Sequence, residues 1–262
     1  TDVALGGGAE SMSRSQYWLP GMRWGQRMND GQVIDAMVAA LSDPFDSCHM
    51  GVTAENVASR WEISREEQDQ LAVESHQRAH TATKEGYFKG QILPISIKQR
   101  RQMISFEKDE HIRSDATTES MAKLRTVFKE DGSVTAGNAS GLNDAASAII
   151  LMERSKAEKG SKEILGRLVG YAHSGVDPKY MGIGPVPAIQ KCLESTGLTV
   201  KDMDVIELNE AFAAQALAVA RDLELPMDRT NPNGSDVSQG HPIGSTGCLI
   251  TVKLLYELKR IQ

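Results

Sequence analysis

Residues 204–223 read DVIELNEAFAAQALAVARDL. The first five, with Val205, Ile206 and Leu208, read as a short strand. From Ala211 onward, apolar and small residues recur at helical spacing. A strand feeding directly into a helix, repeated along a chain, commits that chain to helices layered on a sheet. The repetition is present. ILGRLVGYAHSGV (164–176) reads as a strand ahead of the helix PVPAIQKCLESTGL (185–198), which carries Pro at its start and Gly197 at its end. The pattern implies an α/β fold with a mixed or parallel layered sheet. Hydrophobic residues make up 40% of the chain but aromatics only 5%, so the core must be aliphatic and alanine-rich.

Upstream, DVALGGGAESMS (2–13) reads as a buried strand that ends in a glycine turn, and Asp35–Leu41 as a short amphipathic helix. MGVTAENVASRWEI (50–63) reads as a helix with Thr53 as its N-cap. The helix that follows is bounded by a Ser64/Glu67 capping box and by Gly86. ILPISIK (92–98) is a strand of edge type because of Pro94. Lys84–Lys129 is charge-dense and poor in apolar residues, which predicts extended, solvent-facing loops. A short helix near Asn143–Ala146 and a strand near Ala148–Met152 follow, and TVKLLYELKR (251–260) forms the last helix. The chain is thus two α/β portions with a charged insertion inside the first.

The 262 residues suffice for one large unit or two smaller domains. A net charge of -6 argues against a general nucleic-acid binder. No apolar run approaches the roughly 20 residues of a membrane helix, and no signal peptide is visible. Cys48, Cys192 and Cys248 show neither CxxC spacing nor an even set. That disfavours a disulfide framework or a metal site and suits a reducing compartment such as the cytoplasm. The sequence opens inside a strand-like run and closes on a helix, so both ends read as cut from something longer.

Two stretches carry chemistry. Asn209 sits where a strand passes into a helix, the position at which open α/β sheets bind ligands. His241 lies in SQGHPIGSTG (238–247), a Gly-bracketed turn at the start of a helix, where an imidazole suits a catalytic base. Each has a plain structural alternative: Asn209 as a helix N-cap, His241 as a satisfied turn histidine.

The chain resembles the thiolase family, specifically the biosynthetic acetoacetyl-CoA type, along its whole length. The resemblance rests on GGAESMS (7–13), CHMGVTAENVA (48–58), SMAKLRTVF (120–128), VTAGNASGLNDAA (134–146), GVDPKYMGIGPVPA (175–188), NEAFAAQA (209–216) and GHPIGSTG (240–247). It implies a layered α/β/α architecture that lacks most of its N-terminal domain and carries an inserted α+β loop domain. The implied divisions are 1–11 and 143–163 for the N-terminal domain, 12–142 for the loop domain that binds coenzyme A, and 164–262 for the C-terminal domain. It also implies an acyltransferase of fatty acid metabolism. Such an enzyme joins two acetyl-CoA molecules by Claisen condensation, or cleaves the product with CoA, through a cysteine thioester. His241 matches the histidine that activates that cysteine, and Asn209 the asparagine that positions a water in an oxyanion hole.

By the same resemblance, His49 and Met50 line the pantetheine and acyl end, Ser140 contacts pantetheine and Met181 lies against the acyl group. Arg113, Ser120 and Phe128 fall where the family grips the nucleotide half, and Leu41, Ala136, Leu142, Ala211 and Phe212 match apolar walls. The CHMG stretch favours a short-chain substrate. CoA and acetyl-CoA enter as substrates; no permanent cofactor, metal, nucleic acid or membrane is implied. The full-length family members are dimers or tetramers (dimers of dimers).

The match departs in two places. The acyl-carrying cysteine and the acid/base cysteine of the family fall before Thr1 and after Gln262, and the three local cysteines are read as bystanders. The chain alone is therefore expected to turn over poorly, with a non-catalytic CoA-binding fragment or an unstable remnant as the alternatives. Without the family's first strands, apolar faces should lie bare. The second departure is NGSDVSQGHP (233–242), where Ser235, Asp236 and Ser238 replace small, apolar residues before the histidine. A buried Asp236 needs a partner, and near His241 it raises the imidazole pKa.

Overall fold

A computed structural model describes residues 2–262. Its longest ladder pairs β1 (Val3–Ser11) with β8 (Asp144–Met152), antiparallel, in register from Val3 opposite Met152 to Ser11 opposite Asp144. Two expectations change here. Gly6–Gly8 do not turn the chain but run through the ladder. Asn143–Ala146 is no helix, since β8 already starts at Asp144. The reason is a non-local partner: Ala145 and Ala146 pair with Glu10 and Ala9, and the Asp144 carboxylate accepts the Ser13 amide at 2.9 Å.

Nor is β1 buried. One face of the ribbon lies on α9 (Ile243–Ile261), which takes in the Gly244–Gly247 stretch read as part of the turn, and the other face is bare: Leu5 is 75% and Ile150 72% exposed. The seat is close-packed. A Cβ on Gly8 would overlap the Gly244 carbonyl, and one on Gly244 would overlap the Ala9 carbonyl. The Ser147 and Ser245 hydroxyls meet across it at 2.7 Å.

The main core surrounds α7 (Ala213–Asp222). Its alanines Ala213, Ala214, Ala216 and Ala218 let α2 (Met50–Arg60), α3 (Arg65–Lys84) and the 3-10 turn at Pro178–Ile183 approach closely. Val57, Leu71, Ile183, Leu208 and Val219 fill it, an aliphatic core as the composition implies. Each buried methylene contributes about 0.8 kcal/mol.

Helix α3 keeps the expected capping box: the Ser64 hydroxyl accepts the Glu67 amide at 3.2 Å and the Glu67 carboxylate accepts the Ser64 amide at 2.8 Å. Helix α6 (Pro185–Thr196) ends on Gly197 in the left-handed region, φ 70°. Helix α2 starts earlier than expected. His49 caps it, and the Thr53 hydroxyl donates to the Met50 carbonyl inside the helix at 2.7 Å.

The remaining elements are small. They are β2 (Tyr17–Trp18) paired with β3 (Ile34–Asp35), α1 (Ala36–Ala40), β4 (Ser42–Asp43) paired with β5 (Cys48–His49), α4 (Thr118–Ala122), α5 (Arg154–Lys159) and α8 (Asp236–Gln239). In the charged insertion, β6 (Ile95–Gln99) and β7 (Gln102–Phe106) form an exposed hairpin. Residues 164–176 are not the expected strand, because among the described residues no neighbour pairs with them. Likewise the 204–208 run makes only one parallel bridge, Ile206 to Thr230. Among the described residues no helix is long and apolar enough to cross a membrane.

Candidate active site

Asn209 is not a helix cap. Helix α7 starts at Ala213 with Phe212 at its N-cap, which leaves Asn209 in the extended segment before it. That segment is clamped by Asn231. Its Oδ1 accepts the Leu208 amide at 2.8 Å, and its Nδ2 donates to the Leu208 carbonyl at 2.9 Å and to Glu210 Oε1 at 2.8 Å. The clamp spans both neighbours of Asn209, so the carboxamide is presented by a fixed backbone.

His241 follows Gly240, whose φ of 97° only glycine adopts without strain, and precedes Pro242 at the cap of α9. Its backbone N–H donates to Asn143 Oδ1 at 3.1 Å, and its Nδ1 lies 2.8 Å from Thr246 Oγ1. The Thr246 hydroxyl in turn donates to the Pro242 carbonyl at 3.0 Å. With that single hydroxyl proton committed, Thr246 accepts from Nδ1–H and Nε2 is left with a free lone pair.

The two residues meet. Asn209 Nδ2 lies 3.5 Å from both ring nitrogens of His241. Equal distances put the amide nitrogen on the bisector of the ring rather than along either lone pair, so the contact is too long and oblique for a strong hydrogen bond. Both groups stay available to a third partner. Asn209 Oδ1 is buried with no partner among the described residues.

The electrostatics behind the pair are unusual. Burial lowers the His241 pKa, and Asp236 opposes that shift. Burial raises Asp236, and it raises the fully buried Glu210 to about 7. Glu210 accepts from the Ser75 hydroxyl at 2.7 Å. Lys253, the nearby buried cation, lies 3.0 Å from Glu207 and donates to the Gly234 carbonyl at 2.6 Å.

A second cluster gathers residues of the expected CoA pocket. The His49 ring stacks on Phe128 with centroids 4.6 Å apart, and Phe128 meets Phe212 edge-on at 6.2 Å. Ala139 bridges to Phe212, and the Ser140 amide donates to the Ala211 carbonyl at 3.0 Å. The Met50 amide donates to the Leu41 carbonyl at 2.8 Å. Leu142 is exposed beside Asn143, the partner of the His241 backbone, and Met181 is exposed on the 3-10 turn. Ala136 is exposed in the loop before Asn138. Arg113 and Ser120 are exposed in the insertion. The Arg113 amide donates to His76 Nδ1 at 3.1 Å, and the Ser120 hydroxyl is spent on the capping box of α4.

Asn143, Asn231, Thr246 and Glu55 were not singled out by the sequence. Glu55 holds the 133–140 loop by accepting the Ser133 amide at 2.9 Å and the Val134 amide at 2.8 Å. Among the described residues no sulfur of Cys48, Cys192 or Cys248 bonds His241 or Asn209, and no three or more His, Cys, Asp or Glu side chains converge as a metal site would require.

The Thiolase, N-terminal domain family model matches residues 1–155 and the Thiolase, C-terminal domain model matches residues 162–262. The chain belongs to the thiolase family. It is 61% identical over 263 residues to Beta-ketothiolase BktB of Cupriavidus necator, covering 100% of this chain and 67% of that protein. It is 49% identical to the Acetyl-CoA acetyltransferase of Chromobacterium violaceum, covering 99% and 67%. The Bacillus anthracis acetyl-CoA acetyltransferase crystal structure superposes with a TM-score of 0.97 at 52% identity, covering 100% of this chain and 66% of that one. Human mitochondrial 3-ketoacyl-CoA thiolase in complex with CoA superposes with a TM-score of 0.95 at 45% identity, covering 100% and 65%. The fold is therefore the thiolase fold. The chain spans about two thirds of the length of these relatives.

Proposed function

We propose that the chain supplies the histidine and asparagine of an acetyl-CoA C-acetyltransferase. The reaction is Claisen condensation of two acetyl-CoA to acetoacetyl-CoA, or the reverse thiolysis. The observation that carries this reading is the meeting of Asn209 and His241, with Thr246 on Nδ1 and Nε2 free. A thiol with a pKa of about 8.5 needs such a base to become a nucleophile. Developing oxyanions need preorganised donors, each contributing about 3 kcal/mol. In this reading the acyl-carrying cysteine lies outside residues 1–262, and His241 activates it while Asn209 holds a water toward the thioester oxygen.

CoA would enter over His49, Met50, Ser140 and Met181, with its nucleotide half toward Arg113, Ser120 and Phe128. The walls would be Leu41, Ala136, Leu142, Ala211 and Phe212. The stacked His49–Phe128–Phe212 group supports this placement. The loop domain would be 12–142, flanked by the N-terminal segments 1–11 and 143–163 and by the C-terminal domain 164–262. The setting would be a cytoplasmic oligomer, dimer or tetramer, in fatty acid metabolism.

Calorimetry with CoA, paired with a thiolysis assay of the 262-residue chain, tests the proposal. CoA binding that Arg113→Ala weakens, without turnover, is the expected result. Absence of CoA binding overturns the pocket. Clear turnover overturns the external nucleophile and returns that role to a local cysteine.

A further inference from the structure

Ser75 of α3 touches both segments that carry the active-site pair. Its hydroxyl lies 2.7 Å from Oε2 of Glu210, the residue after Asn209, and 2.9 Å from Ser238 Oγ, three residues before His241. The Ser235 amide donates to the same hydroxyl at 3.1 Å. Ser75, Glu210, Ser235 and Ser238 are all buried. Helix α3 is seated closely on this stretch. Gly234 has φ 73°, and a Cβ there would lie 2.5 Å from the Ser75 carbonyl oxygen.

The Ser235–Ser238 stretch leads directly to the histidine. The Ser235 carbonyl accepts the Ser238 amide at 3.0 Å and the Gln239 amide at 2.8 Å, and the Asp236 carbonyl accepts the Gly240 amide at 2.8 Å. Direct links from this turn to the Asn209 segment are thinner. Ser235 Oγ lies 2.9 Å from the Leu208 carbonyl and 2.9 Å from Asp236 Oδ2, with one proton for two acceptors. The Glu210 amide lies 3.4 Å from Asp236 Oδ2, a long contact.

The link through Ser75 is complete in either charge state of Glu210. When the carboxyl carries a proton, it donates to Ser75, Ser75 donates to Ser238, and Ser238 donates to the Ser235 carbonyl 2.9 Å away. When the carboxyl is ionised, the hydroxyls reverse: Ser238 donates to Ser75 and Ser75 to Glu210. In both arrangements the Ser75 hydroxyl donates once and accepts twice, counting the Ser235 amide, which is its full capacity. Burial raises Glu210 to about 7, so both arrangements arise near neutral pH.

We propose that Ser75 is a positioning residue for the active-site pair: its hydroxyl ties the Glu210 side chain to the turn that leads to His241, and so holds Asn209 and His241 against one another. The inference rests on that pair being the reactive groups of the proposed condensation.

The test is NMR of the labelled 262-residue chain, read as the Overhauser cross-peak between the Asn209 side-chain amide protons and the His241 ring protons. The unsubstituted chain should show that cross-peak, together with a Ser75 hydroxyl proton protected from solvent exchange. Ser75→Ala should lose the cross-peak. Glu210→Gln should keep it, because the new amide donates to Ser75 as the protonated carboxyl does. A serine that only stabilised the fold would lower the melting temperature and leave the cross-peak in place. Retention in Ser75→Ala, loss in Glu210→Gln, or an unprotected Ser75 hydroxyl overturns the proposal. If Ser75→Ala does not fold, Ser75→Cys, which fills the site but bonds weakly, takes its place with the same expectation. The expected pattern in a chain that does not bind CoA leaves the tie intact and removes the function. CoA binding in a chain whose cross-peak survives Ser75→Ala removes only this inference.

Discussion

The Thr246 hydroxyl stands between the His241 ring and the carbonyl of Pro242, 2.8 Å from Nδ1 and 3.0 Å from the oxygen. It reads the imidazole from the side away from Nε2, as a second-layer partner does for a catalytic or metal-bound histidine. Thr246→Val keeps the shape and removes the acceptor. The ring nitrogen spectrum should change from one tautomer to a mixture, and stability should fall by about 1–3 kcal/mol. Thr246→Ser should restore the single tautomer.

Glu55 organises the loop that reaches Phe212. Glu55→Ala strips the acceptor from the Ser133 and Val134 amides, each buried or half-buried. An unsatisfied buried donor costs about 1–3 kcal/mol. Chemical denaturation should show that loss, and CoA affinity measured by calorimetry should fall with it as the 138–140 segment loosens.

Gly244→Ala places a methyl group against the Ala9 carbonyl, a backbone atom that cannot swing aside. Overpacking of this kind costs about 1–3 kcal/mol. Gly247→Ala, three positions on, meets nothing within 4 Å. It should be neutral or slightly stabilising, since alanine is the better helix former. Paired thermal melts distinguish the two.

Two buried groups give stability opposite pH slopes. The folded-state pKa of Glu210 is raised to about 7, so the native state holds its proton longer than the unfolded chain. Its contribution is complete below the ordinary glutamate value and is lost as pH rises through about 7. His76 is lowered to about 4 by burial, with His111 and Arg113 adding to the effect. Its contribution is present above the ordinary histidine value and is lost as pH falls toward 4. Melting temperatures across pH 4–8 should therefore fall less steeply toward neutral pH in Glu210→Gln, and less steeply toward acid in His76→Gln, than in the unsubstituted chain. Equal slopes in all three would contradict these assignments.

Elements with local causes were legible in the sequence. Helix α3 has its capping box in Ser64 and Glu67, and α6 has Pro at its start and Gly197 at its end. Elements set by distant partners were not. Gly6–Gly8 signal a turn until β8 pairs with them, and Asn143–Ala146 favour a helix until Ser13 engages Asp144. The site divides in the same way. Asn209 and His241 stand out in the sequence because they fall at expected strand and helix boundaries, where functional side chains are looked for first. Asn143, Asn231 and Thr246 are ordinary polar residues whose importance comes from what folding places against them. Asp236 was conspicuous as a charge in a stretch expected to be apolar, but its tie to Glu210 needed three dimensions.

The seat of Gly8 on Gly244 has a mechanical consequence. His241 is three residues from a backbone-on-backbone contact whose other half is a ribbon with one face uncovered. No side chain lies between the two halves of that contact to yield, so the turn that holds His241 is anchored to the ribbon as rigidly as main chain can anchor it.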